Sequence, residues 1–286
     1  MIENGSTPTL EDCTSGMLKN MGWMRLGVIV VLLLATGLAQ NGGLQSAAAE
    51  QELFRLTNRD RAEAGLPELQ WNEWLAQAAR KHAAEMARRG RLSHQFPGEA
   101  GLRDRIAATS LHFDASGENV AVGPNTTEIN QGWMLSSGHR ANILDARYNS
   151  IGVAVVRVGE DLFAVTDFAH SVAALSAGDL EGTVAAAINQ ARAQKRLAPL
   201  AWRQDPALHQ YACQMAKEDQ VNAKAALERS NVYATLAFND VDPANFGSHF
   251  RNLPYITTSK AFALGACFER TAKYPEGTNW IVVAFY

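Results

Sequence analysis

Residues 117–144 read GENVAVGPNTTEINQGWMLSSGHRANIL, and the whole chain is organised around this stretch. It holds a carboxylate, Glu118, and an imidazole, His139, each beside a glycine, with Trp133 on a helical turn between them. A second imidazole, His94, stands upstream in Leu92-Ser93-His94-Gln95. Two histidines and a glutamate at such irregular spacings cannot share one face of a single helix, which needs neighbours three or four residues apart. If they act together, the fold must bring three segments to one place.

Their chemistry leaves two readings open. Two neutral imidazoles and a carboxylate form a three-ligand set for zinc or another divalent cation, with a fourth position left for water. The same groups suit general acid and base work on a bound substrate, since histidine titrates near neutral pH. His94, Glu118 and His139 are therefore the candidates for ligand binding, metal binding and any catalysis. No Gly-x-Ser-x-Gly string occurs, and neither Cys213 nor Cys267 is near these motifs, which disfavours a covalent nucleophile. A purely structural reading stands beside these. In it Glu118 fastens a turn at Gly117, His139 starts a helical turn, and Arg140 pairs with Asp145 or Asp167.

The flanking sequence supplies a mixed helix and strand frame. Leu53 and Leu56 recur at helical spacing in a segment that Gly65 stops. A second helix runs from about Asn72 to Arg89, with Leu75, Ala78, Ala79, His82, Ala83 and Met86 as its apolar stripe and Gly90 after its end. His82 on that stripe reads as a core histidine. Leu92 to Asp114 reads as loop-rich, with a short helix near Leu102–Ala108 and an exposed His112. Thr126 or Thr127 suits the cap of a helix through Trp133, and Ser136 or Ser137 the cap of a turn from His139 to Leu144. Ser150–Val158 and Leu162–Ala169 read as two strands joined at Gly159-Glu160-Asp161.

Gly117-Glu118-Asn119-Val120-Ala121 resembles the GENxA motif of the CAP superfamily (the SCP domain of cysteine-rich secretory, antigen 5 and pathogenesis-related proteins). Trp133 to Leu144 resembles the bacterial form of that family's second histidine motif. His94 before them and Ile151-Gly152-Val153-Ala154 after them keep the family's order. The resemblance implies an α/β (α+β) fold, an α-β-α sandwich over residues 50–172. It also implies a cleft lined by two histidines and two acids, which binds divalent metal in some members. His94, Glu118 and His139 match three of those positions, and Ser136 stands at the fourth, which removes one carboxylate. Glu128 is the nearest acid in the same segment. Family members are associated with sterol or lipid binding, with defence and cell-wall settings and, at times, with proteolysis.

The outer frame then recurs. Asn58-Arg59-Asp60-Arg61-Ala62 and Leu69-Gln70-Trp71 return as Asn189-Gln190-Ala191-Arg192-Ala193 and Leu200-Ala201-Trp202. Leu75, Ala79 and Ala83 match Leu208, Ala212 and Ala216 once two extra residues near Asp205-Pro206 are allowed. Ile151-Gly152-Val153 matches Leu264-Gly265-Ala266, and Phe163 with Phe168 matches Trp280 with Phe285. The second copy has no GEN and no Gly-His-Arg, and His249 reads as structural or exposed. The expected plan is a tail and signal peptide or membrane anchor over 1–49, a CAP domain over 50–172, a linker over 173–180 and a smaller, siteless CAP-like α/β domain over 181–286.

Compartment and partners follow from composition and from the amino-terminal segment. The 286 residues carry 26 basic and 29 acidic side chains, a net charge of -3, with no excess of sign to point to nucleic acid. Lys19 and Arg25 precede the apolar run Leu26–Ala35, which is short against the roughly 20 residues of a bilayer span. Small residues follow at Ala47-Ala48-Ala49, and the pattern reads as a secretory signal, with an uncleaved anchor as the alternative. Cys213 and Cys267 can pair in an exported chain, or remain two buried thiols. The expectation is an exported protein whose first domain binds a divalent metal or a small ligand, lipids included. The alternatives are an extracellular metal-assisted hydrolase using the same cleft, and an envelope interaction protein whose second domain meets a protein partner.

Overall fold

The structure is a computed structural model that describes residues 46–227 and 232–286. The signal or anchor reading of the first segment lies outside the described residues, apart from the helix beginning at 46. Among the described residues no helix is long and apolar enough to cross a membrane. Residues 49–286 form one compact unit.

The first half has a helix over 46–63 (α1) and a short strand Gln70–Trp71 (β1). Then come Glu73–Arg89 (α2), Leu102–Ala107 (α3) and Phe113–Gly123 (β2). Thr126–Leu135 (α4), Ser137–Ile143 (α5), Ser150–Val158 (β3) and Asp161–Ser171 (β4) complete it. The sheet order is β1-β3-β4-β2, with β1 parallel to β3 and the remaining pairs antiparallel. Period-two alternation along β3 splits its side chains between two layers. Ile151, Val153 and Val155 pack with Leu53 of α1, Ile129 and Trp133 of α4 and Ile143 of α5. Ala154 faces the other way, onto Ala79, Ala83 and Met86 of α2. This is the expected α-β-α sandwich.

Local chemistry sets the ends of its helices. Asn72 caps α2 by accepting from the Trp74 and Leu75 amides, and Gly90 closes it at φ 59°, where glycine carries no Cβ penalty. Two expected caps are corrected. Asn125, not Thr126 or Thr127, accepts from the Glu128 amide at the start of α4. Ser136 precedes α5 without a side-chain capping bond, and the helix starts at Ser137 rather than at His139. The GEN motif lies within strand β2, not on a turn.

The second half repeats this plan with Ala177–Gln194 (α6), Ala201–Arg203 (β5), Pro206–Lys217 (α7), Lys224–Leu227 (α8), Ala234–Asp240 (β6), Phe246–Phe250 (α9), Ala261–Glu269 (β7) and Thr278–Phe285 (β8). Its sheet order, β5-β7-β8-β6, has the same topology. Because α6 begins at Ala177, capped by Ser176, the connection after β4 is shorter than the expected linker over 173–180.

The repeated residues do repeated work. Asn58 exchanges both bonds with the Leu69 backbone, and Asn189 accepts from Leu200 N at 2.8 Å. Arg61 donates to the carbonyls of Pro67, Ile143, Asp145 and Tyr148, and Arg192 to those of Ala198 and Ile256. At Gly152 an added Cβ would lie 2.1 Å from Ala76 N of α2; at Gly265 it would lie 2.1 Å from the Leu208 carbonyl carbon of α7. The two glycines are offset by two residues in the strand frame, because Trp71 pairs Ile151 whereas Trp202 pairs Phe262. The two extra residues before α7 slide that helix one pleat along β7. A shift of two keeps the same strand face toward the helix.

Cys213 and Cys267 form a disulfide that ties α7 to β7, which resolves the two alternatives for this pair. His112 is not exposed as expected; its ring stacks on Phe268 of the second half, with centroids 4.0 Å apart. Arg270 donates to the carbonyls of Ala107 and Leu111, and Arg103 pairs with buried Glu276.

Candidate functional site

Neighbouring residues of a strand point to opposite faces. In β2, Glu118 therefore faces the layer of α2 and α3 while Asn119 faces the layer of α5. Since β2 is the edge strand of its sheet, the two helical layers meet over it. His94 arrives from the loop after α2 and His139 from α5, and their ring centroids are 6.3 Å apart with the planes at 44°. The fold thus brings together the three residues picked out in the sequence.

Each one is positioned by residues beyond the motifs. His82 is fully buried, with Nδ1 2.7 Å from Glu99 Oε1 and Nε2 2.8 Å from the Ser93 carbonyl, so a core histidine anchors the loop that carries His94. Arg105 of α3 donates to the His94 carbonyl and, through its other amino group, to Glu118 Oε2. Asn119 Nδ2 donates to the His139 carbonyl, and Asn142 Nδ2 donates to both the Glu118 carbonyl and Asn119 Oδ1. Gly117 is needed for this approach: a Cβ there would stand 2.6 Å from the Tyr148 hydroxyl.

The Glu118 carboxylate differs from the open ligand expected. Its side chain is only 3% exposed. Oε1 accepts from His94 Nδ1 at 2.9 Å and Oε2 accepts from Arg105, so both oxygens are engaged. The His94 side chain is 59% exposed and keeps Nε2 free of this contact. The hydrogen bond to Glu118 raises the His94 pKa, against a smaller opposing effect of burial. His139 moves the other way: burial, and then the nearby His94, lower its pKa. At neutral pH the pair thus combines an imidazole biased toward its charged form with one biased toward neutral.

A further acid, not singled out as a site residue in the sequence, sits behind them. Asp167 of β4 pairs directly with Glu118 across the sheet and is fully buried. Neither of its oxygens meets a protein donor. Burial first, and the Glu118 charge second, raise its pKa well above that of an ordinary aspartate. The only signal for it in the sequence is a lone acid inside the strand run Ala164-Val165-Thr166-Asp167-Phe168-Ala169. The expected ion pair of Arg140 is not formed; its guanidinium donates to the Met134 carbonyl, and Asp145 pairs with Arg147.

Beside His139 a groove of about 370 Å3 runs between β2 and α4, lined by Leu92, Val120, Val122, Ile129, Trp133 and Ser136. Glu128 stands on its wall but is drawn to the Asn125 cap. In the second half the positions of Glu118 and Asp167 fall on Thr235 and Ala284 by strand pairing, so no carboxylate pair recurs. His249 there stacks on Phe238 and lies 3.1 Å from Asp240, as a structural residue.

Residues 54–168 match the model of the CAP family, described as the cysteine-rich secretory protein family. Two Bacillus subtilis (strain 168) proteins are similar to the chain. The "Uncharacterized protein YkwD" is 35% identical over 114 residues, 40% of this chain and 44% of that protein. The "Uncharacterized membrane protein YlbC" is 34% identical over 113 residues, 38% of this chain and 32% of that one. The chain thus spans less than half the length of either relative. Among solved structures, an extracellular protein containing a SCP domain from Bacillus anthracis str. Ames aligns at 30% identity and a TM-score of 0.40, covering 43% of this chain and 41% of that one. Residues 54–168 are thus a CAP-type domain.

Proposed function

We propose that the CAP domain is an exported binding module. Its ligand sets a polar head against His94 and His139 and lays an apolar part in the groove along α4. The observation that carries this is a pair of imidazoles whose ring centroids lie 6.3 Å apart, one of which, His139, lines an apolar groove. Pockets of this kind, apolar with a few convergent polar groups, suit small amphiphilic ligands, lipids among them.

One feature of the same place supports a divalent cation. A metal-ligating histidine commonly gives its other ring nitrogen to a carboxylate, which fixes its orientation. His94 does this through Nδ1 toward Glu118. The groups that would hold the ion are His94 and His139, with Glu118 behind them and the remaining positions filled by ligand or water. Such an ion would supply a positive centre for an anionic head group. The Cys213–Cys267 disulfide and the apolar run after Arg25 both support export, where a disulfide persists.

Zinc titration of the wild type against a His94→Ala, His139→Ala double variant tests the metal reading. The double variant should take up one equivalent fewer. Equal uptake by both would remove the metal. Binding of a fluorescent fatty acid tests the groove: Ile129→Trp should block it, and unchanged binding would exclude that groove as the apolar subsite.

A further inference from the structure

A second group of metal-type donors lies near the start of β2, before Glu118. Asp114 is the second residue of that strand, His170 the last but one of the neighbouring β4, and Asp242 follows β6 in the second half. One donor atom from each lies within 4.8 Å of the other two. His170 Nδ1 is 2.7 Å from Asp114 Oδ1, and both side chains are 31% exposed. Asp242 Oδ1 accepts from the Ala244 amide, which fixes the carboxyl direction and leaves its second oxygen for another partner. The three line a groove of about 470 Å3 together with Ala115, Ala146, Arg147 and Asn245. The guanidinium of Arg147 is held at 2.6 Å by Asp145, so its charge is largely balanced before it meets the groove.

We propose that Asp114, His170 and Asp242 bind a divalent transition-metal ion that clamps the two halves of the chain together. One nitrogen and two carboxylate oxygens, with an open position for water, match what zinc or manganese accepts. The ion replaces the imidazole proton that now joins His170 to Asp114. Two of the donors come from the CAP domain and one from the siteless half, so the ion stabilises the contact between them. That contact already includes the His112–Phe268 stack and the Arg103–Glu276 pair. The site needs neither His94 nor His139, and it stands or falls apart from the cleft.

Equilibrium dialysis of the full chain against zinc, with thermal melts, tests it. The His94→Ala, His139→Ala variant should still hold one equivalent and melt higher with zinc than with EDTA. Asp242→Asn and His170→Ala, each added to that background, should weaken the remaining binding at least tenfold and abolish the zinc-dependent rise in melting temperature. The proposal is overturned if the double variant binds no zinc, or if Asp242→Asn and His170→Ala leave its binding unchanged. Circular dichroism at the same concentrations is the control for the fold of these partly exposed variants.

Discussion

Asp167 is a fully buried acid beside Glu118. It faces Glu118, which is already committed to Arg105 and His94, and it meets no other donor. Two adjacent carboxylates with one balanced charge are tolerated in a buried place only if the second stays neutral. The raised pKa has a definite consequence for stability. An aspartic acid raised in the fold contributes fully below the unfolded value near 4, and the contribution is lost as pH rises toward the folded value. Asp167→Asn keeps an N–H donor toward Glu118 and needs no proton. Relative to the variant, the wild type should lose about 1.4 kcal/mol for each pH unit within that window. Chemical denaturation of both proteins from pH 4 to 8 checks this. A stability difference that stays flat across that range would show Asp167 ionised like any surface acid.

At the scale of elements, the frame rests on two helix-on-strand contacts that only glycine permits. Gly152 lets α2 lie against β3, and Gly265 lets α7 lie against β7. In each case the clash would be with backbone, which cannot rotate away as a side-chain tip does. Gly152→Ala should therefore destabilise the chain by roughly 1–3 kcal/mol or more through overpacking, and Gly265→Ala by a similar amount. Urea unfolding reads this as a lower midpoint. A control, Gly178→Ala in α6, where an added Cβ meets nothing within 4 Å, should be neutral or stabilising. Element geometry also explains the site: β2 must be an edge strand, since an inner strand would keep the two helical layers and their histidines apart.

At the scale of the whole molecule, two similar sandwiches differ in what holds them. The first relies on packing and on Arg61 drawing four carbonyls together. The second adds a disulfide across a separation of 54 residues. By chain entropy, closing a loop of that size contributes up to about 4 kcal/mol. Cys213→Ser with Cys267→Ser should lower the melting temperature clearly under oxidising conditions and remove its dependence on reductant. If reductant shifts the wild type and the double variant equally, the bond contributes nothing to the fold.

How much of this was legible depends on whether it is a local or a long-range property. Helix spans, the Asn72 and Gly90 boundaries, the α-β-α order and the double frame can be read from the sequence, because periodicity, caps and left-handed turns are properties of a few consecutive residues. Glu118 and His139 are legible too, each beside a glycine, and His94 as the histidine upstream of them. The rest needed tertiary structure. Arg105 is one charged residue on a short helix, and Asp167 one acid on a strand; neither spacing says that both meet Glu118. Strand register places Asp167 opposite Glu118. The stacking of His112 on Phe268 and the meeting of Asp114 and His170 with Asp242 depend on how two distant halves pack. The sequence by itself determined the frame and the three candidate residues His94, Glu118 and His139. Only the tertiary structure decided which oxygens are already engaged and which donors remain open, because those depend on contacts between segments far apart along the chain.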